Sequence, residues 1–151
     1  MILTKTDGVE LGYRKYSNSR PVKRTTTFNG LPINIEFDKG DVKKGIGQYG
    51  ETWETAFEVP YGEIAGTLSQ YDQDPLDCFV VEDGQTNVVY VVHELDQTGG
   101  HRQDKVVLGA ADMGAARAIY ETHGLLHGLG PVETLTWDQF VNGYLAGVRS
   151  I

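Results

Sequence analysis

The sequence predicts an α+β domain in which a small β-barrel packs against helices at its C-terminal end. Short segments of alternating apolar and polar residues fill the first part of the chain, and glycine-rich turns separate them. Towards the C-terminus the apolar period changes from two residues to the period of a helix. The 151 residues have the length of one domain.

The predicted strands come first along the chain. Residues 31–37 and 53–59 alternate between apolar and polar side chains, as half-buried strands do. The glycine-rich segment 40–50 between them is predicted to be a hairpin loop.

Further strands are predicted from short β-branched runs. Residues 78–81 and 88–92 flank the turn signal Asp83-Gly84, which predicts that they form a hairpin. Residues 105–108 predict one more strand, after the turn at Gly99-Gly100.

Two helices are predicted near the C-terminus. The first follows Asp112, a candidate N-cap, and its apolar face consists of Met113, Ala116, Ile119 and Tyr120. The second begins at a capping box formed by Thr136 and Gln139. The glycine-containing residues 124–131 are predicted to be a loop without secondary structure.

These elements divide the chain into three parts. Residues 1–27 are predicted to be an N-terminal extension, either paired as an edge strand or outside the sheet. Residues 28–124 are predicted to form the barrel and the first helix. Residues 125–151 supply a loop and a C-terminal helix packed on the same domain.

Composition excludes several classes of protein. The formal net charge of −8 argues against specific nucleic-acid binding, because phosphate backbones select for lysine and arginine. The single cysteine, Cys78, excludes an internal disulfide framework. No segment approaches the roughly 20 apolar residues of a membrane span, and the N-terminus lacks a signal-peptide pattern. We therefore expect a cytoplasmic protein that does not bind membranes.

Three aspartates just before an apolar run carry the clearest chemical signal. Asp72, Asp74 and Asp77 lie at positions i, i+2 and i+5, and Pro75 restricts the backbone between them. Hard cations such as Mg²⁺ prefer oxygen ligands and keep several waters, so one such loop can supply a site. A polar turn with a local hydrogen bond explains the spacing equally well.

The longer pattern is more specific. Residues 61–68 read Tyr-Gly-Glu-Ile-Ala-Gly-Thr-Leu, and residues 72–77 read Asp-Gln-Asp-Pro-Leu-Asp. This combination resembles the signature of the soluble family I inorganic pyrophosphatases. The order of segments over residues 31–124 is more similar still to a divergent pyrophosphatase-like domain of phages and mobile elements.

The resemblance implies a fold, a cofactor and a set of site residues. The implied fold is a five-stranded OB-like barrel, and the implied cofactor is Mg²⁺. Catalytic roles are carried over to Asp74, Asp77, Tyr61 and Glu36, substrate binding to Lys105 and Tyr120, and metal ligation to Asp72, Asp74, Asp77 and Asp96. Lys43 and Lys44 are further substrate-binding candidates, because either could replace a phosphate-binding arginine that the family has and this sequence lacks. The implied reaction is hydrolysis of pyrophosphate or another small phosphoanhydride by a metal-activated water.

Departures from the family pattern keep other functions open. Glu63 replaces the second tyrosine of the Tyr-Gly-Tyr segment, and the arginine expected shortly before that segment is absent. A pyrophosphatase-like binding or structural module of a phage or mobile element, with weak or no turnover, is the principal alternative. Hydrolysis of a nucleotide is a further one. Homo-oligomers or phage proteins are the expected partners besides the small substrate.

Overall fold

The computed structural model describes residues 21–46, 49–69, 74–96, 98–123 and 128–148. Its strands are β1 (Arg24–Phe28), β2 (Leu31–Phe37), β3 (Val42–Ile46), β4 (Thr52–Ala56), β5 (Tyr61–Ile64), β6 (Asp77–Val80), β7 (Val88–Leu95), β8 (His101–Leu108) and β9 (Gly128–Thr136). Helix α1 spans Met113–His123. A C-terminal helix, α2, covers residues 137–148 and includes a π-helical turn at Phe140–Tyr144.

Seven strands form one mixed sheet in the order β1-β2-β5-β6-β8-β7-β9, and β3 and β4 form a separate two-stranded ribbon. The predicted α+β class is confirmed. The predicted five-stranded barrel is not confirmed, because in the described residues β1 and β9 are opposite ends of an open sheet. Both edge strands come from segments that the sequence pattern had not assigned to the barrel.

Strand β1 begins inside the predicted N-terminal extension. Residues 24–27 pair with β2 in the way that the edge-strand alternative expects. The connection is the two-residue turn Asn29-Gly30, in which both residues have positive φ, of 51° and 84°. Asn-Gly favours this hairpin turn, because glycine and asparagine adopt positive φ at low cost.

The predicted hairpin across Asp83-Gly84 is wrong. Strands β6 and β7 both exist, but β6 pairs in parallel with β8, and β7 pairs with β8 and β9. Strand β8 therefore lies between the two segments that the turn signal had joined. A turn signal reports the local backbone, whereas the partner of a strand is decided by its neighbours in the sheet.

Two segments predicted to be loops contain strands. Strand β3 lies inside residues 40–50 and pairs with β4. Strand β9 begins at Gly128, within the segment 124–131, and pairs with β7 along its length. One glycine of that segment, Gly130, is required by the sheet, because a Cβ there would lie 2.1 Å from the carbonyl oxygen of His93. Close approach of two backbones, and not loop flexibility, requires this glycine.

The sheet is covered on both faces. One face carries Ile33, Ile35, Cys78, Val91 and Val106, and α2 covers it with the fully buried Phe140 and Leu145. We call this the α2 face. The opposite face, the α1 face, carries Tyr61, Phe79, Tyr90, Val92 and Val107 and is covered by Ala116 and Tyr120 of α1.

Both helices start where the sequence predicts. The backbone N–H of Ala115 donates to the Asp112 carboxylate, and Thr136 and Gln139 form the reciprocal capping box. Within the part of the chain that the structure describes, neither helix is long and apolar enough to cross a membrane.

Candidate functional site

A row of polar side chains crosses four adjacent strands on the α1 face. Asn34 of β2 pairs with Glu63 of β5, and Glu63 pairs with Asp77 of β6. Asp77 is in turn the neighbour of Lys105 on β8. Paired residues of adjacent strands point to the same side of a sheet, so these four side chains share one face. We call them the polar row.

An aromatic row borders the polar row. Tyr61 pairs with Phe37 on one side and Phe79 on the other. The Lys105 ammonium joins the two rows: its Nζ donates to the Tyr61 hydroxyl at 2.9 Å and to Asp77 Oδ2 at 3.0 Å. The Lys105 side chain is only 13% exposed, so this cation is held against the sheet.

Glu63 lies among other carboxyl groups on this face of the sheet. Its side chain hydrogen-bonds with Glu36 and with Asn34. Burial raises the pKa of Glu63 above its ordinary value, and the negative charges of Asp77 and Asp74 raise that pKa further. Glu63 therefore interacts with three further carboxyl groups, those of Glu36, Asp74 and Asp77, and the last of these binds the Lys105 ammonium.

The donor groups of this carboxyl cluster are of the chemical type that a divalent cation takes. They are carboxylate oxygens, which hard cations such as Mg²⁺ prefer, and Glu36 is only 8% exposed. The raised pKa of Glu63 shows that the charged form of its carboxyl is disfavoured without a positive neighbour. Glu36, Glu63, Asp74 and Asp77 are the described residues that would hold such an ion, and it would supply positive charge to offset their repulsion.

Tyr120 lies deeper on the same face. It is 1% exposed, and its hydroxyl donates to Glu94 Oε2 at 2.5 Å. Burial and the Glu94 carboxylate raise the pKa of Tyr120 well above its ordinary value. Glu94, also 1% exposed, accepts a second hydrogen bond from Gln103 Nε2 at 3.0 Å. The hydroxyl that the resemblance assigns to substrate binding thus holds a buried carboxylate.

Lys43 and Lys44 lie on the ribbon and not on the main sheet. Lys43 Nζ lies 5.9 Å from the ring centroids of both Phe37 and Trp53, which brings it to the border of the aromatic row. Lys44 is 72% exposed and pairs loosely with Glu54 at 3.9 Å. Lys43 is therefore the better placed of the two alternatives for a phosphate ligand.

Asp72 and Asp96 are the two predicted metal ligands that do not belong to the carboxyl cluster described above. Asp96 caps the turn between β7 and β8: its Oδ1 accepts from the Thr98 hydroxyl and from the backbone N–H groups of Thr98 and Gly100. These hydrogen bonds, led by that of the Thr98 hydroxyl, lower the pKa of Asp96. Asp72 lies outside the described residues.

Sequence reasoning missed three members of this face. Glu63 was interpreted only as a departure from the family's Tyr-Gly-Tyr pattern. Its spacing of two residues from Tyr61 in a strand nevertheless places both side chains on one face. Asn34 lies on the polar side of a strand predicted to be half-buried, but its pairing with Glu63 makes that side part of the site. Glu94 carried no signal, because nothing in an apolar strand indicates that a carboxylate in it is held by Tyr120.

Carboxyl groups near a partly buried lysine and a buried tyrosine have the chemistry of a site for a phosphate-bearing anion and a divalent cation. The family model described as Inorganic Pyrophosphatase matches residues 13–144. The chain therefore belongs to the inorganic pyrophosphatase family. Neither the curated proteins nor the solved structures gave a match.

Proposed function

We propose that this chain is a Mg²⁺-dependent phosphoanhydride hydrolase that converts inorganic pyrophosphate into two phosphates. The observation that carries the proposal is the Lys105 ammonium, held between Asp77 and Tyr61 within a cluster of carboxyl groups on one face. A cation beside carboxylates suits a substrate that is itself an anion and arrives with a metal. The family match supports the same reaction.

The proposed roles are those that the family resemblance implies, and the contacts of Lys105 and Lys43 support two of them. Asp74 and Asp77, with Asp72 from the same loop, are the proposed Mg²⁺ ligands, and Glu36 and Glu63 extend the set of oxygen donors. Asp96 is a proposed further ligand. Lys105 binds a phosphate oxygen, Tyr61 orients it, and Lys43, Lys44 and Tyr120 are the remaining substrate-binding candidates.

The proposed reaction is an in-line attack of water on one phosphorus atom. A new P–O bond forms to the water oxygen, the bond to the bridging oxygen breaks, and the second phosphate leaves with that electron pair. A bound divalent cation lowers the pKa of a coordinated water and offsets the charge of the substrate. Asp74 or Asp77 takes the proton of the attacking water. Lys105 stabilises the charge that develops on the phosphate oxygens.

A second candidate is a binding module without turnover. Two observations favour it: Glu63 adds a carboxylate that repels a polyanion, and the Lys105 ammonium is already bound to Asp77 and Tyr61. In this candidate the chain keeps the metal loop and serves as a structural component of a phage or mobile element.

The test is phosphate release from pyrophosphate, with and without Mg²⁺, by the wild type and the Asp77→Asn variant. We expect Mg²⁺-dependent turnover in the wild type and a loss of at least about a hundredfold in kcat in the variant, because a metal ligand and candidate base is removed. Asp83→Asn is the matched control, since Asp83 is exposed on a turn, and it should retain full activity.

Two results would change the assignment. No Mg²⁺-dependent phosphate release from the folded wild type would refute hydrolysis of pyrophosphate and favour the binding module. Faster release from a nucleoside triphosphate than from pyrophosphate would instead assign the site to a nucleotide phosphohydrolase.

A further inference from the structure

A second polar cluster lies on the α2 face, on the other side of the sheet from the polar row. His93 of β7 pairs with Asp104 of β8, and His101 begins β8. His93 Nδ1 and His101 Nε2 each lie 2.7 Å from Asp104 Oδ1 and 3.3 Å from each other. Asp104 and Lys105 are consecutive in a strand, so their side chains point to opposite faces.

We propose that His93, His101 and Asp104 bind a divalent transition metal of the Zn²⁺ class. Imidazole nitrogens and a carboxylate oxygen are the donors that such metals prefer, whereas Mg²⁺ prefers oxygen alone. Among the described residues, this set of histidine and acidic side chains has its ligand atoms within 4.8 Å of one another. The inference uses none of the residues of the proposed hydrolytic site.

The spacing of the three atoms suits tetrahedral coordination. Ligand atoms about 2.0–2.1 Å from a tetrahedral Zn²⁺ lie about 3.3 Å apart. The His93–His101 separation of 3.3 Å already has this value. The two contacts to Asp104 Oδ1, at 2.7 Å, would lengthen by about 0.6 Å on binding. The fourth position is left for water or another small ligand.

Outer contacts hold the ligands as they do in metal sites. The second ring nitrogen of His93, Nε2, lies 3.2 Å from Glu133 Oε1 of β9. The second oxygen of Asp104, Oδ2, accepts a hydrogen bond from the Tyr144 hydroxyl of α2 at 2.5 Å. A ligating histidine usually donates its other N–H to a carboxylate, and a ligating carboxylate is usually hydrogen-bonded as well.

A bound metal is one of two ways to satisfy both nitrogens of His93, the other being a doubly protonated ring. Both nitrogens of His93 face carboxylates, Asp104 at Nδ1 and Glu133 at Nε2. A neutral ring carries only one N–H and can donate to only one of them. With a metal bound to Nδ1, the N–H is on Nε2 and donates to Glu133. The bound ion would thereby connect β7, β8 and β9 with α2.

The test is Co²⁺ binding by the untagged, metal-stripped protein, followed by visible d–d absorption and by competition with Zn²⁺. We expect one Co²⁺ per chain, displaced by Zn²⁺. His101→Ala should weaken binding at least about tenfold, and Tyr144→Phe should weaken it about 10- to 100-fold through the lost hydrogen bond to Asp104. Far-UV circular dichroism of each variant checks that it is folded.

Two variants keep this test separate from the proposed hydrolase. His123→Gln is the matched histidine control, because His123 lies on α1 and contacts Glu58 and Ile119; it should bind Co²⁺ as the wild type does. Asp77→Asn should also retain the Co²⁺ absorption. Absence of the absorption in the wild type, or an unchanged Co²⁺ affinity in His101→Ala, would overturn the proposal. Loss in Asp77→Asn alone would assign the ion to the carboxyl cluster and overturn it equally.

Discussion

At the scale of single residues, the α1 face shows how strand pairing changes the meaning of a substitution. Glu63 stands where the family pattern has a tyrosine, and that position pairs with Asp77. Its carboxyl therefore adds to the negative charge of the site. The pairing of β6 with β8 places Lys105 on the other side of Asp77, where its ammonium partly offsets that charge.

The raised pKa of Glu63 predicts a pH dependence of stability with a definite sign. A glutamate whose pKa is higher in the folded state stabilises the fold below its ordinary value of 4.5, and this contribution is lost as the pH rises through the folded value. In EDTA, Glu63→Gln should therefore have a higher free energy of unfolding than the wild type at neutral pH. Urea denaturation of both proteins, at pH values from below 4.5 up to neutral, measures the difference in their free energies of unfolding.

The control for this measurement is Glu58→Gln, which removes an exposed carboxyl and should leave the pH profile unchanged. Added Mg²⁺ should reduce the difference between the wild type and Glu63→Gln, because a bound cation offsets the same repulsion. Superimposable pH profiles for the two proteins would contradict the electrostatic account of Glu63.

At the scale of elements, the close contact of β2 and β5 positions the polar row. A Cβ on Gly62 would lie 1.9 Å from the carbonyl oxygen of Asn34 and 2.9 Å from the Cα of Ile35. Both atoms belong to the backbone of β2, so no side-chain movement can relieve the clash. Glycine at this position lets Asn34 and Glu63 face each other across the two strands.

Gly62→Ala should therefore destabilise the sheet by about 1–3 kcal/mol or more, since overpacking forces the backbone to shift. It should also reduce Mg²⁺-dependent activity, because the shift separates members of the polar row. Gly143→Ala is the comparison, as no atom lies within 4 Å of its Cβ. That helical position should become more stable by about 0.5–1 kcal/mol. Equal stability of the two variants in urea denaturation would contradict this explanation.

At the scale of the whole molecule, one sheet carries two chemically different faces. The α1 face holds the carboxyl cluster, and the α2 face holds the histidine cluster and a core closed by Phe140. Side chains alternate along each strand, so β8 contributes Asp104 to one face and Lys105 to the other. Any distortion of this strand affects both clusters.

Because the faces share their strands, we expect a single cooperative unfolding transition. Phe140→Ala removes a fully buried side chain and should lower the free energy of unfolding by about 3–5 kcal/mol. Far-UV circular dichroism and tryptophan fluorescence should give the same lowered midpoint. Val141→Ala, at a partly buried position, should lower the free energy of unfolding by less than Phe140→Ala does. Different midpoints for the two signals would show that the faces unfold separately.

Local patterns predicted the elements whose signals are local. The α+β class, the strand at residues 31–37, the Asp112 cap and the Thr136–Gln139 capping box were all readable from neighbouring residues, because periodicity and capping act within a few positions. The Asn29-Gly30 turn, which joins β1 to β2, was not predicted, although its dipeptide is a local signal of the same kind. The segments 61–68 and 72–77, in that order, likewise indicated the pyrophosphatase family from the sequence alone.

Partner choice and the faces of the sheet were decided only by the tertiary structure. The parallel pairing of β6 with β8 and the addition of β9 depend on contacts between distant segments, for which no local signal exists. Pairing of β5 with β6 makes Glu63 a neighbour of Asp77, and pairing of β7 with β8 brings His93, His101 and Asp104 together. By itself the sequence determined which chemical groups this protein has and which family it resembles. The sheet decided which groups meet, because pairing between strands sets their distances and alternation along each strand sets their faces.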